Sequence, residues 1–174
     1  MIRFYILSAY IFLSSLSFGQ TDKNYDCLNK SNLTLNERLN FYPFNIAKQV
    51  MLVSFDSSLA ELPSNVSKIN LSKFKETKIL ESTQIDSLTF LLYNLGSKGN
   101  SFQYVPASCY FPKNAILFLD VNKKVVEYIE ICFECKKTRE SSHKVQNGIS
   151  CNQKFDIIKS YFARQGIKHG IAFE

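Results

Sequence analysis

The segment NAILFLDVNKKVVEYIEICF, Asn114 to Phe133, constrains the fold more than any other. Ala115 to Leu119 are apolar at every position, and Val125 to Phe133 are rich in Val, Ile and Tyr. Between them, DVNKK carries turn chemistry, because Asn122 tolerates unusual backbone angles. Two such runs around so short a connection read as a β-hairpin over 115–133, which must be antiparallel. A type I turn followed by Lys123 in the left-handed region pairs Asp120 with Lys124, although glycine is the usual residue there. That register sets Phe118 against Val126, Ile116 against Tyr128 and Asn114 against Glu130, with Leu117 against Glu127 as the poor match. A two-residue loop of Asn122 and Lys123 shifts the register by one.

Other elements follow from periodicity. Gln49 to Phe55 read as a central strand, with Val50 and Leu52 on one face and Met51, Val53 and Phe55 on the other. Residues 56 to 78, rich in Ser, Lys and Asn, read as a long loop with a short strand. Ile85, Leu88, Leu92 and Leu95 recur at helical spacing, which predicts a helix over about 83–95. Thr83 with Asp86 supplies a variant capping box, and Gly96 a stop. Phe155, Ile158 and Phe162 predict a second helix over about 152–165, with Asn152 as N-cap and Gly166 as its end. Two helices with a mainly antiparallel sheet make an α+β domain.

The chain opens MIRFYILSAYIFLSSLSFGQ. Arg3, an apolar stretch of about 13 residues and small residues at Ser17 and Gly19 have the layout of a secretory signal peptide, and the stretch is short of the roughly 20 residues that span a bilayer. The expected organisation is therefore a signal peptide over 1–19, a flexible polar leader over 20–34 and one α+β domain over 35–174. The expected address is secreted or periplasmic, with no membrane span after signal cleavage. The formal charge of +6 is spread along the chain. No basic face is gathered, so nucleic acid is not an expected partner.

Five cysteines follow the signal segment: Cys27, Cys109, Cys132, Cys135 and Cys151. Export favours pairing, and the odd number leaves at least one over. With Asp120 opposite Lys124, position 109 falls opposite 135, so a Cys109–Cys135 bridge is expected, with Cys132–Cys151 as a second and Cys27 unpaired. Cys132 and Cys135 also form a C-x-x-C. Thiol redox chemistry is one alternative, but that chemistry uses a motif at a helix N-terminus, and this one ends a strand. A metal site built from Cys109, Cys132, Cys135 and Cys151, or with His143, is another, although only one close ligand pair exists. No cofactor motif is present. Ser141, Ser142 and His143 are loop neighbours, His169 reads as a turn residue, and Glu127, Glu130 and Glu134 read as polar strand positions.

CYFPKNAILFLDVNKKVVEYIEICFEC, Cys109 to Cys135, resembles a set of small secreted proteins of unknown function from Bacteroidota-type bacteria. These carry a Cys-Tyr-x-Pro stretch, a hairpin and an Ile-Cys-Phe-x-Cys ending. YPFNIAKQVMLVSFDS, Tyr42 to Ser57, and the closing GIKHG fit as well. Lys113 stands where that pattern has Arg, and Lys123 where the turn has Gly. The resemblance implies export and brings no activity with it. Two function classes follow: a non-catalytic extracytoplasmic module that binds a protein, glycan or surface partner, or a thiol- or metal-dependent activity centred on Cys132 and Cys135.

Overall fold

The computed structural model describes residues 27–56, 61–97, 110–149, 151 and 153–171. The expected signal peptide, Cys109 and Asn152 lie outside the described residues. In chain order the elements are β1 (Leu28–Asn29), α1 (Leu35–Leu39), β2 (Gln49–Ser54), β3 (Glu76–Ile79), α2 (Ser82–Tyr93), β4 (Leu95–Gly96), β5 (Asn114–Leu119), β6 (Val125–Cys132), β7 (Lys137–Glu140) and α3 (Gln153–Arg164). Five strands form an antiparallel sheet in the order β3-β2-β5-β6-β7, and β1 pairs with β4 in a separate two-stranded ribbon. The fold is α+β, as expected.

The central strands β2 and β5 are buried on both faces, which divides the core in two. Val50, Leu52, Ile116, Phe118, Ile129 and Ile131 face the helices, where Leu88, Leu92, Phe155, Ile158 and Phe162 complete the larger cluster. Met51, Val53, Phe55, Leu117, Leu119 and Tyr128 face the other way. That second face is covered by residues 62–74, a segment with only two short 3-10 turns, Val66–Lys68 and Leu71–Lys73. The alternation expected along β2 is thus the actual division of the core.

The hairpin turn forms as expected. Lys123 has φ of 61°, the Asp120 amide donates to Lys124 O at 2.9 Å, and Asp120 Oδ1 accepts from the amides of Asn122 and Lys124. Leu119 pairs with Val125, but a bulge then shifts the register between Phe118 and Leu119. Phe118 pairs with Glu127, Ile116 with Ile129, and Asn114 with Ile131, in place of the expected Val126, Tyr128 and Glu130. A one-residue slip flips every later side chain to the opposite face. The bulge turns Ile129 and Ile131 into the helix-covered core and sends Tyr128 and Glu130 to the loop-covered face.

Other expectations change as well. Residues 27–34 are held rather than flexible: the amides of Lys30 and Ser31 donate to Asn94 O, and Asn94's side chain exchanges two hydrogen bonds with the Leu33 backbone. Thr34 and Glu37 form a capping box that starts α1, an element read into no helix from sequence. Helix α2 begins one residue earlier than expected, at Ser82, where Gln84 Oε1 accepts from the Glu81 amide, and Asn94 caps its end. Leu95 and Gly96 belong to β4 and not to the helix stop. Finally, Lys137–Glu140 form an edge strand on β6 where a charged loop is expected.

Candidate functional site

The expected disulfide pairs do not form. Cys151, just before α3, is joined to Cys27 across 124 residues, with Cα atoms 5.6 Å apart. Cys132, the last residue of β6, is joined to Cys135 in the next turn, Cα to Cα 5.2 Å. Cys27 is therefore not the unpaired thiol. Two premises fail: the bulge breaks the register behind Cys109–Cys135, and the leader lies against α3 where Cys27 reaches Cys151. Loop-closure entropy grows with the logarithm of loop length, which gives roughly 5 kcal/mol for the long loop and roughly 2 kcal/mol for the short one. Cys27–Cys151 is the main staple.

The C-x-x-C bridges a strand–turn–strand connection in which Lys136 has φ of 49°. Both cysteines are buried, at 1% and 4% exposure. Lys113–Glu134 and Lys136–Asp156 ion pairs flank it. The motif ends β6 and starts no helix of its own, and its neighbour Lys136 is paired with Asp156 in the first turn of α3. The proposed metal donors are also dispersed: Cys132, Cys135 and Cys151 are bonded in two separate disulfides, and His143 is exposed in the loop after β7. Among the described residues no group of three or more His, Cys, Asp or Glu is arranged to hold a metal.

Several polar groups that a reaction could use are engaged in holding the fold. Glu127 accepts from Tyr42 Oη, Ser141 Oγ and Ser142 Oγ, and burial with the Glu127 contact raises the Tyr42 phenol to about 12. Ser141 and Ser142 thus serve the carboxylate and make no pair with His143 in this arrangement. Glu76 accepts from Ser54 Oγ and the amides of Lys168 and His169. His169 Nε2 lies 3.1 Å from Phe55 O, so the closing GIKHG turn is pinned to the sheet edge. Lys154 is fully buried, and its Nζ donates to Leu92 O, Leu95 O and Gly148 O. Burial pushes its ammonium down to about 7, against three acceptors that match its three N–H groups. A cation on Leu92 O, in the last turn of α2, also suits the helix dipole.

Glu130 holds the cover in place. Its carboxylate is fully buried and accepts from the Leu62 amide at 2.6 Å, Arg139 Nε at 2.8 Å and Tyr110 Oη at 3.2 Å. Arg139 Nη2 also donates to Leu62 O at 2.6 Å, and its guanidinium lies 5.5 Å from the centre of the Tyr128 ring. Both backbone groups of Leu62 are therefore gripped by one ion pair. Burial raises the Glu130 carboxyl, opposed by the Leu62 amide and Arg139. Beside this latch lies a cavity of about 160 Å³ walled by Leu62, Ile69 and Phe74 and bordered by Lys68 and Lys73. Sequence reasoning missed both features. The available signal was a carboxylate in a strand of otherwise apolar alternation, and a five-residue repeat, NVSKI-NLSKF, over 65–74.

No protein-family description, curated protein or solved structure matches this chain.

Proposed function

We propose that this chain is an exported, non-catalytic binding module, stapled by its disulfides, whose ligand face is the side of the sheet covered by residues 61–74. One observation carries the reading. The buried ionisable groups Glu127, Glu130 and Lys154 are each held by backbone or side-chain partners within the fold, while a cavity lined by both apolar and charged side chains opens next to the Leu62 latch. Concave sites with apolar walls and a few convergent polar groups are the usual form of a ligand site. Two disulfides support an extracytoplasmic address, in keeping with the leader sequence and with the resemblance to small secreted bacterial proteins. The partner class is a protein, a glycan or a surface component.

A second reading has one observation in its favour: Cys132 and Cys135 close on each other, as a thiol–disulfide exchange centre would. Their burial and their place at the end of a strand, rather than within the first turn of a helix, argue against it. The deciding experiment takes the exported, oxidised protein. Its N-terminus is expected within about two residues of Gln20. Non-reducing peptide mapping is expected to return Cys27–Cys151 and Cys132–Cys135, with no turnover in insulin reduction. Insulin reduction that disappears in Cys132→Ser would transfer the function to the second reading.

A further inference from the structure

The repeat NVSKI-NLSKF folds as two successive copies of one turn. Asn65 Oδ1 accepts from Ser67 N and Oγ, and Asn70 Oδ1 accepts from Ser72 N and Oγ, at 2.7–3.0 Å. Each copy then makes a 3-10 turn ending on an apolar residue, Ile69 in the first and Phe74 in the second. Because the copies are equivalent, their fourth residues, Lys68 and Lys73, both border the cavity, and their fifth residues both wall it. Neither lysine takes part in an ion pair among the described residues. Glu61, the one carboxylate among the described residues lining the cavity, lies 3.4 Å from Arg139 Nε, and Lys75 is taken by Asp56. The neighbouring cleft on the same cover has the same sign: it is lined by Lys123 and Lys124 with Val66 and Leu71, and by no carboxylate among the described residues.

Resting on the binding-module reading, we propose that this cavity takes a small amphipathic anion, a carboxylate on an apolar body about the size of one ring. The volume of about 160 Å³ admits a group of that size and little more. Leu62, Ile69 and Phe74 supply the apolar contact, and Lys68 and Lys73 supply two point charges for the head group. Two compact ammonium groups on flexible stems select for charge rather than for bidentate geometry, so the anion's sign and its apolar body are what the site reads.

The test uses the oxidised full-length mature protein, ¹⁵N-labelled, titrated with sodium benzoate, its neutral isostere benzamide, and inorganic phosphate. Benzoate is expected to shift the amides of Leu62, Ile69 and Phe74 saturably below about 10 mM, with benzamide at least about tenfold weaker and phosphate without a saturable shift at those amides. The exposed double variant Lys68→Gln/Lys73→Gln is expected to keep its spectrum and lose benzoate affinity by about tenfold or more, and added salt to weaken the wild type alone. Equal affinity for benzoate and benzamide, an unaffected double variant, shifts confined elsewhere, or no saturable shift would each overturn the proposal. Anionic vesicles competing for the same amides while free benzoate fails would also overturn it, in favour of a surface partner. Any of these results in a protein inert toward insulin leaves the module reading standing; insulin reduction defeats that reading whatever benzoate does.

Discussion

Replacing Glu130 by Gln removes one charge from a buried site and changes almost nothing in size. The carboxylate receives donors from the Leu62 amide, Arg139 and Tyr110. Glutamine retains one acceptor oxygen and turns an NH₂ toward either the Leu62 amide or Arg139, neither of which can accept it. Hydrogen bonds to charged groups contribute roughly 1.5–3 kcal/mol each, and breaking a buried ion pair by removing one partner costs roughly 3–5 kcal/mol. Because one donor can still be accommodated, the expected loss is about 2–4 kcal/mol. At about 2–4 °C per kcal/mol for a domain of this size, that is a fall in Tm of about 4–16 °C. The loss should be uneven. Leu62 is attached to the sheet through this pair, so residues 61–74 should open first, seen as faster amide exchange and proteolysis there than in β5. With the single variants Glu130→Leu and Arg139→Met, the double variant Glu130→Leu/Arg139→Met forms a cycle; it should avoid a lone buried charge but still leave residues 61–74 loosened, because the Leu62 amide and carbonyl both lose their partners. Glu130→Gln within about 1 kcal/mol of wild type, with 61–74 still protected, would refute the latch.

Four further outcomes are expected. Cys27→Ser should destabilise the protein by up to roughly 5 kcal/mol, against roughly 2 kcal/mol for Cys135→Ser, in thermal melts of the oxidised proteins; the reverse order would show that the long loop is not the main staple. Mass spectrometry after mild alkylation should find four of the five cysteines protected until reduction. With Lys154 at about 7 in the fold and about 10.4 in the unfolded chain, the unfolded state binds the extra proton between those values. Stability should therefore rise from pH 7 toward pH 9.5 and fall as pH returns to 7, by up to about 1.4 kcal/mol per unit. Lys154→Met should flatten that slope in urea unfolding followed by tyrosine fluorescence. A flat wild-type profile would mean that the three carbonyls hold the ammonium fully. Asn70→Ala removes the cap of the second 3-10 turn and should cost about 0.5–2 kcal/mol, read by the same unfolding measurement.

What could be read from sequence was whatever one element states by itself. The two-faced alternation of β2, the buried stripe Phe155–Ile158–Phe162 and the left-handed Lys123 in the hairpin turn all hold. What could not be read depended on a partner far along the chain. The bulge beyond Val125 is favoured because Ile129 and Ile131 gain the helix-covered core while Glu130 meets the Leu62 backbone, and no local pattern announces that exchange. Cys27 looks unattached until β1 is laid beside β4. The edge strand Lys137–Glu140 has a loop's composition and becomes a strand by pairing with β6, with Arg139 reaching Glu130. Thr34 and Glu37 are the exception: the T-x-x-E spacing of a capping box is local and legible, and it straddles the expected boundary between leader and domain.

The Cys27–Cys151 bridge has a consequence for biogenesis. On the proposed export from the N-terminus, Cys27 emerges first and its partner follows 124 residues later. Three other cysteines, at 109, 132 and 135, appear in between. An oxidase that joined thiols in order of emergence would couple Cys27 to the wrong one. The native bond must wait until α2 and α3 have docked and the ribbon of β1 and β4 has brought the two sulfurs together, or else be reached by reshuffling. Maturation of this protein should accordingly be slower, and more dependent on a disulfide isomerase, than its modest length suggests.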